Sequence, residues 1–454
     1  MTAAAFILVS GINIGLLCFL VRKRGWLSAE GLCAIYLFLA VASDNVEILI
    51  RMSFWPDTLQ LGPEEINMRI YPTIVHGLGI AALLLGLTLA DPRPRSISRT
   101  LGPSDNRLLV RIAIALVAIG GLMFGVALLR GDPTGFTTVE GFKDVVEQSG
   151  AFLYRGADVA LLGLALLFAT LHGIPKILCG LAAAVLPVVA LFNKGGFEKG
   201  LIWMAVVYSA YQTKQFERVL RSSLSWTVML PTAALIILLV IGVKIHYRTS
   251  GNDIQSSGAF EAGLNSVRGR YSADGLYRGY SQMTTYMRNG WIAPFDGQML
   301  SYALTCWIPG FIYPDKPSHP TRNTGYMVYA DHHSYKSDAS AFTLVGIAYA
   351  DFGIPSVVCY LLAGGFVLGW IRKAANRPGG SLYRHVGYLF LCLFGACSAE
   401  SGLLVLIYVV LLCAGVMGLV WILVRIKFSE PERVSPLSLS QTQRSRRVHM
   451  SGTY

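Results

Sequence analysis

The feature that most constrains this chain is a series of apolar windows, each about 20 residues long, recurring from Ala4 to Val424. A helix rises 1.5 Å per residue, so such a window reaches across a hydrocarbon core ~30 Å thick. In lipid the backbone must satisfy its own hydrogen bonds, which leaves helices or a closed barrel, and barrel strands would give weaker, alternating segments of about ten residues. The windows therefore predict an all-α fold, a polytopic membrane helix bundle. Composition agrees: 14% of residues are charged, against roughly 25% in soluble domains, and the mean hydropathy is +0.52.

About eleven spans are expected, at about 4–21, 26–42, 71–90, 108–128, 151–171, 176–192, 199–211, 224–243, 341–371, 386–398 and 402–424, with a half-helix before Gly353 inside the ninth. The basic cluster Arg22-Lys23-Arg24 follows the first apolar run instead of preceding it, which predicts an uncleaved first helix with its N-terminus outside. Lys and Arg then gather after odd-numbered spans, at Arg93–Arg99, Lys176, Lys214–Arg221 and Arg372–Arg384, and in the tail, marking those loops as cytoplasmic. The chain divides into N-terminal spans (1–243), one large extracytoplasmic loop (244–340), C-terminal spans (341–427) and a basic, Ser-rich tail (428–454) expected to be disordered and cytoplasmic. The net charge of +12 is read as topology-setting, not as a nucleic-acid footprint. Seven of the eight cysteines lie in or beside apolar runs, without metal-ligand spacing, so no zinc site, disulfide framework or cofactor is expected.

The span centres carry almost no charge, which favours chemistry at the outer face over ion-coupled transport. The large loop holds Arg268, Arg270, Arg278, Arg288 and Arg322 with Tyr271, Tyr277, Tyr280 and Tyr286 interleaved. Planar guanidinium groups bind phosphate oxygens bidentately, which suits a diphosphate at a membrane surface; the same residues also suit a solvated basic loop and an interfacial aromatic belt. His332, His333 and Asp338 are candidate proton acceptors for an attacking hydroxyl, or plain surface residues. Lys194 and Lys199, in an outer turn between spans six and seven, run against the charge rule and are candidate phosphate contacts, with a Lys194–Glu198 helical pair as the alternative. Arg155 and Asp158 heading span five, and Glu400, are assigned either to the same cavity or to local pairs.

At Trp307-Ile-Pro-Gly-Phe-Ile-Tyr-Pro-Asp-Lys-Pro317, then Gly325 and Thr343-Leu-Val-Gly-Ile-Ala-Tyr-Ala-Asp-Phe-Gly353, the chain resembles the Wzy-type oligosaccharide repeat-unit polymerases of the bacterial inner membrane. Gly310 stands where that family often has Arg, so that cation is absent. The resemblance implies a glycosyltransferase that builds O-antigen or exopolysaccharide, the polysaccharide of lipopolysaccharide or of the cell exterior, from undecaprenyl-diphosphate-linked units at the periplasmic face. Arg268 and Arg278, with His332, His333 and Asp338, would be catalytic. Arg270, Arg288, Lys316, Arg322, Lys194, Lys199 and Arg155 would bind the diphosphate. Membrane lipid, a chain-length regulator and a flippase are the implied partners. An O-antigen ligase-like transferase and a polysaccharide or lipid transporter are the competing expectations.

Overall fold

The structure, a computed structural model, describes residues 2–38, 43–54, 63–94, 97–130, 155–190, 197–222, 227, 276–305, 308, 313, 343–377, 379–401 and 403–426. Among them the chain forms fifteen helices and no strand. The N-terminal half contributes α1 (Thr2–Arg24), α2 (Ala29–Leu37), α3 (Ser43–Phe54), α4 (Pro63–Ala90), α5 (Pro103–Arg130), α6 (Gly156–Thr170), α7 (Ile174–Ala190), α8 (Phe197–Tyr211) and α9 (Thr213–Arg221). Then come α10 (Leu276–Arg288), α11 (Gln298–Thr305), α12 (Leu344–Phe352), α13 (Ile354–Ala375), α14 (Leu382–Ser401) and α15 (Leu403–Ile426). Among the described residues, four helical segments are long and apolar enough to cross a membrane: Ala3–Arg24, Ile66–Ala90, Pro103–Ala127 and Ile354–Ala375. Their outward faces are greasy, with Leu8, Leu89, Leu122 and Phe366 exposed, one in each span. Contiguous apolar surface of that kind suits lipid.

Lipid tails are as apolar as leucine, so helices in a membrane associate by close packing at small residues. Two seams follow that rule. Gly86 of α4 lies against the Leu362 carbonyl and Gly365 of α13 against the Leu83 carbonyl, so neither position has room for a Cβ. Gly79 meets Leu361 and Gly369 meets Leu87, so α4 and α13 run in the same direction. In the second seam Gly120 packs on Gly156 and Ala160, while Gly163 packs on Ala113 and Val117, so α5 and α6 run oppositely.

The half-helix before Gly353 is present as α12. Thr343 caps it, its hydroxyl accepting from the Gly346 amide at 3.2 Å. Gly353 then turns the chain at φ +72°, a conformation glycine adopts without a Cβ penalty. Val345 and Leu361 both abut Gly79, so α12 folds back along α13, and every residue from Leu344 to Asp351 is buried.

Three stretches expected as loops contain helices. The polar region 43–70 holds α3 and the start of α4, the large loop holds α10 and α11, and the basic stretch after span seven is α9. α9 is strongly two-sided, with Phe216 stacked on Trp26 at 6.2 Å between centroids, while Lys214 and Arg218 are exposed. The span expected at 224–243 lies, Thr227 apart, outside the described residues, as does the tail from 427.

Candidate functional site

One polar cluster forms where α10 and α11 dock on the ends of α4, α12 and α13. Tyr280 of α10 is fully buried, and its hydroxyl donates to the Pro72 carbonyl of α4 at 2.6 Å. That bond fixes α10 along α4. Two turns on, the Arg288 guanidinium lies over the Tyr71 ring, 4.4 Å from its centroid, while the arginine itself stays exposed. Arginine over an aromatic face is attracted by the ring quadrupole. The Tyr71 hydroxyl reaches the Tyr349 hydroxyl of α12 at 2.9 Å, and the two rings meet edge to face. The cluster thus runs from an open cation through two aromatic rings to a buried helix.

Asp351 secures the second helix. Its carboxylate accepts from the amides of Met299 and Leu300 at 2.9 and 3.1 Å, and from the Tyr360 hydroxyl at 3.1 Å. A carboxylate at a helix start satisfies amides that have no intrahelical partner and complements the helix dipole. The turn before α11 adds Phe295 N–H to Ala350 C=O (2.9 Å) and Asp296 N–H to Asp351 C=O (3.2 Å).

Beside Tyr280, one turn beyond Pro72, His76 is fully buried with Nδ1 against the Asn13 side-chain amide of α1 at 2.9 Å. Its ring meets Tyr280 edge to face, 6.0 Å between centroids. His76 Nε2 has no hydrogen-bond partner among the described residues. His76 Nδ1 lies within reach of both Asn13 side-chain atoms, Nδ2 at 2.9 Å and Oδ1 at 3.1 Å, so its tautomer decides whether it accepts or donates there. His76 was not singled out from the sequence, although a lone histidine in the apolar run 71–90 is a usable signal.

Of the residues expected at the site, Arg288 is the one seen in this cluster. Arg155 pairs with the buried Asp158 at 3.0 Å, the local ion pair. Lys199 falls in the first turn of α8 and Arg278 in the first turn of α10. Lys194, Arg268, Arg270, Lys316, Arg322, His332, His333 and Asp338 lie outside the described residues. Among the described residues, no three or more His, Cys, Asp or Glu side chains are grouped to hold a metal ion.

A second constellation sits where α1, α4 and α13 end and α2 begins. Arg372 donates to Glu30 Oε2 at 3.3 Å, and the Tyr388 hydroxyl donates to the same oxygen at 3.0 Å. Arg24 faces Asp91 at 3.5 Å with its side chain fully buried. Glu30 Oε1 has no hydrogen-bond partner among the described residues. The sequence reading gave Arg24 and Arg372 to cytoplasmic loops as topology charges; both are instead enclosed between helices and matched by carboxylates.

The class these features define is an all-helical bundle with apolar helices compatible with a multi-pass membrane protein, carrying a polar cluster at each end. No family model, curated protein or solved structure matches the chain.

Proposed function

We propose that the protein is a bacterial inner-membrane glycosyltransferase that polymerises undecaprenyl-diphosphate-linked oligosaccharide repeat units into O-antigen or exopolysaccharide at the periplasmic face. The observation that carries the reading is the seating of Arg288 on Tyr71, beside Tyr349, where helices of the 244–340 segment join the bundle. A cation held on an aromatic ring at a bundle end is suited to a sugar diphosphate: the exposed guanidinium takes phosphate oxygens, and the half-buried Tyr71 ring beneath it is the aromatic surface within reach of a pyranose.

In this reading the chain crosses the membrane eleven times, with the N-terminus periplasmic and the basic helix ends cytoplasmic. The acceptor sugar's hydroxyl oxygen attacks the donor's anomeric carbon, and the bond from that carbon to the diphosphate oxygen breaks. The hydroxyl proton passes to His332, His333 or Asp338. Undecaprenyl diphosphate departs with its developing charge stabilised by Arg268, Arg278, Arg288 and Lys316. Lipid-linked donors make a nucleotide-sugar domain unnecessary.

The test is a glycan gel from a deletion strain complemented with wild type or with Arg288→Ala, Arg268→Ala or Lys316→Ala. Wild type restores a ladder, and the variants collapse it to one repeat with lipid-linked single units accumulating on the outer face. Full-length polymer left on its carrier would mean a ligase.

One observation favours a second reading, transport of a lipid or polysaccharide: the pairs Glu30–Arg372 and Arg24–Asp91 are buried among helices, where ionisable groups are costly and usually functional. Single units retained on the inner face in the same experiment would select it.

A further inference from the structure

At the end of the bundle away from the Arg288 cluster, a cavity of about 610 Å³ opens between α13, α14 and α15. Most of its lining is apolar, including Leu391, Val410, Cys413, Ala414 and Met417. Its mouth is cationic: Lys373, Arg377 and Arg384 line it, all three exposed. No carboxylate among the described residues pairs with any of them. Trp370, 61% exposed, lies at the same mouth, and on α15 Arg425 stacks on Trp421 at 4.3 Å. Exposed tryptophans next to cations mark the depth of lipid headgroups. The cavity is therefore greasy inside and positive where headgroups lie.

We propose that this groove binds one anionic phospholipid of the leaflet at that end, its phosphate held by Lys373, Arg377 and Arg384 and an acyl chain lying between α13, α14 and α15. Basic pockets between membrane helices recognise anionic headgroups in this way, and the three unmatched cations select against zwitterionic lipid. The floor of the groove includes Tyr388, whose hydroxyl holds Glu30, so an occupying lipid also braces the buried Glu30–Arg372 pair. This site stands apart from the polymerase reading and does not depend on it.

The test is native mass spectrometry of the full-length chain extracted from nanodiscs holding equal phosphatidylglycerol and phosphatidylcholine with identical acyl chains. Wild type is expected to retain phosphatidylglycerol. Lys373→Gln/Arg377→Gln/Arg384→Gln is expected to retain about tenfold less or lower. Gly418→Leu, at a groove position where an added Cβ meets no atom within 4 Å, is expected to lose it with all three cations in place. Removing three exposed cations elsewhere (Arg93→Gln/Arg107→Gln/Lys214→Gln) is expected to leave retention unchanged. Equal retention by wild type and the groove triple, equal loss in the control triple, or preferential retention of undecaprenyl phosphate supplied at equimolar level would each overturn the proposal.

Discussion

Glu30 and Arg372 meet at 3.3 Å inside the bundle although 342 positions separate them in the chain. The pair ties the start of α2 to the last turn of α13, and Tyr388 adds α14 through the same carboxylate oxygen. Burying two charges is costly, and their attraction offsets that cost only while both are present.

Removing one partner should therefore be worse than removing both. Glu30→Met leaves the Arg372 guanidinium enclosed without its carboxylate and should cost about 3–5 kcal/mol. The double variant Glu30→Met/Arg372→Met should recover most of that loss. Thermal unfolding in detergent, followed by tryptophan fluorescence, measures both; a double variant no more stable than the single one would refute the pairing energetics.

The α4–α13 seam predicts intolerance at two glycines. Gly365→Ala drives a methyl group into the Leu83 carbonyl, and Gly86→Ala does the same at Leu362. Overpacking of this kind costs about 1–3 kcal/mol. Gly11→Ala and Gly415→Ala, where an added Cβ meets nothing within 4 Å, should be neutral or slightly stabilising. Yield of monodisperse protein by size exclusion separates the two pairs.

Asp351 predicts how α11 is held. Asp351→Ala strips the acceptor from the Met299 and Leu300 amides and should cost about 1–2 kcal/mol. Asp351→Asn keeps one acceptor oxygen and should cost less. Hydrogen exchange over residues 298–305 should rise slightly for Asp351→Asn and most for Asp351→Ala, with α5 unchanged.

Tyr280 positions Arg288 without sharing its chemistry. Tyr280→Phe deletes the hydroxyl bond to Pro72 and should cost about 1 kcal/mol. In the polymerase reading it should shorten the glycan ladder without abolishing it. Arg288→Lys keeps the charge but loses the planar fork, and should fall between wild type and Arg288→Ala. A ladder unaffected by Arg288→Ala would detach this cluster from function.

The broad plan was legible because it depends on local quantities. Hydropathy within windows marks α1, α4, α5 and α13, and a glycine between two apolar runs marks the break at Gly353. The helices α3, α9, α10 and α11 were not legible, because short amphipathic helices in polar stretches are stabilised by docking, as Phe216 is on Trp26 and α11 is by Asp351. At the candidate site, counting arginines pointed to Arg288 without revealing its seat. Tyr71 carries no local motif, and the one signal His76 gives, a histidine inside an apolar run, says nothing of the Asn13 and Tyr280 side chains it meets.

By itself the sequence determined that the chain forms apolar helices with cations biased to one set of ends, since backbone hydrogen bonding and side-chain transfer energies act residue by residue. Only the tertiary structure decided which charges face solvent and which face one another. Lys373 and Arg372 are neighbours in one helical turn, yet one lines an open groove and the other is enclosed with Glu30. The physical reason is that burial and electrostatic pairing depend on what packs opposite a side chain, and here the opposite residue comes from the far end of the chain.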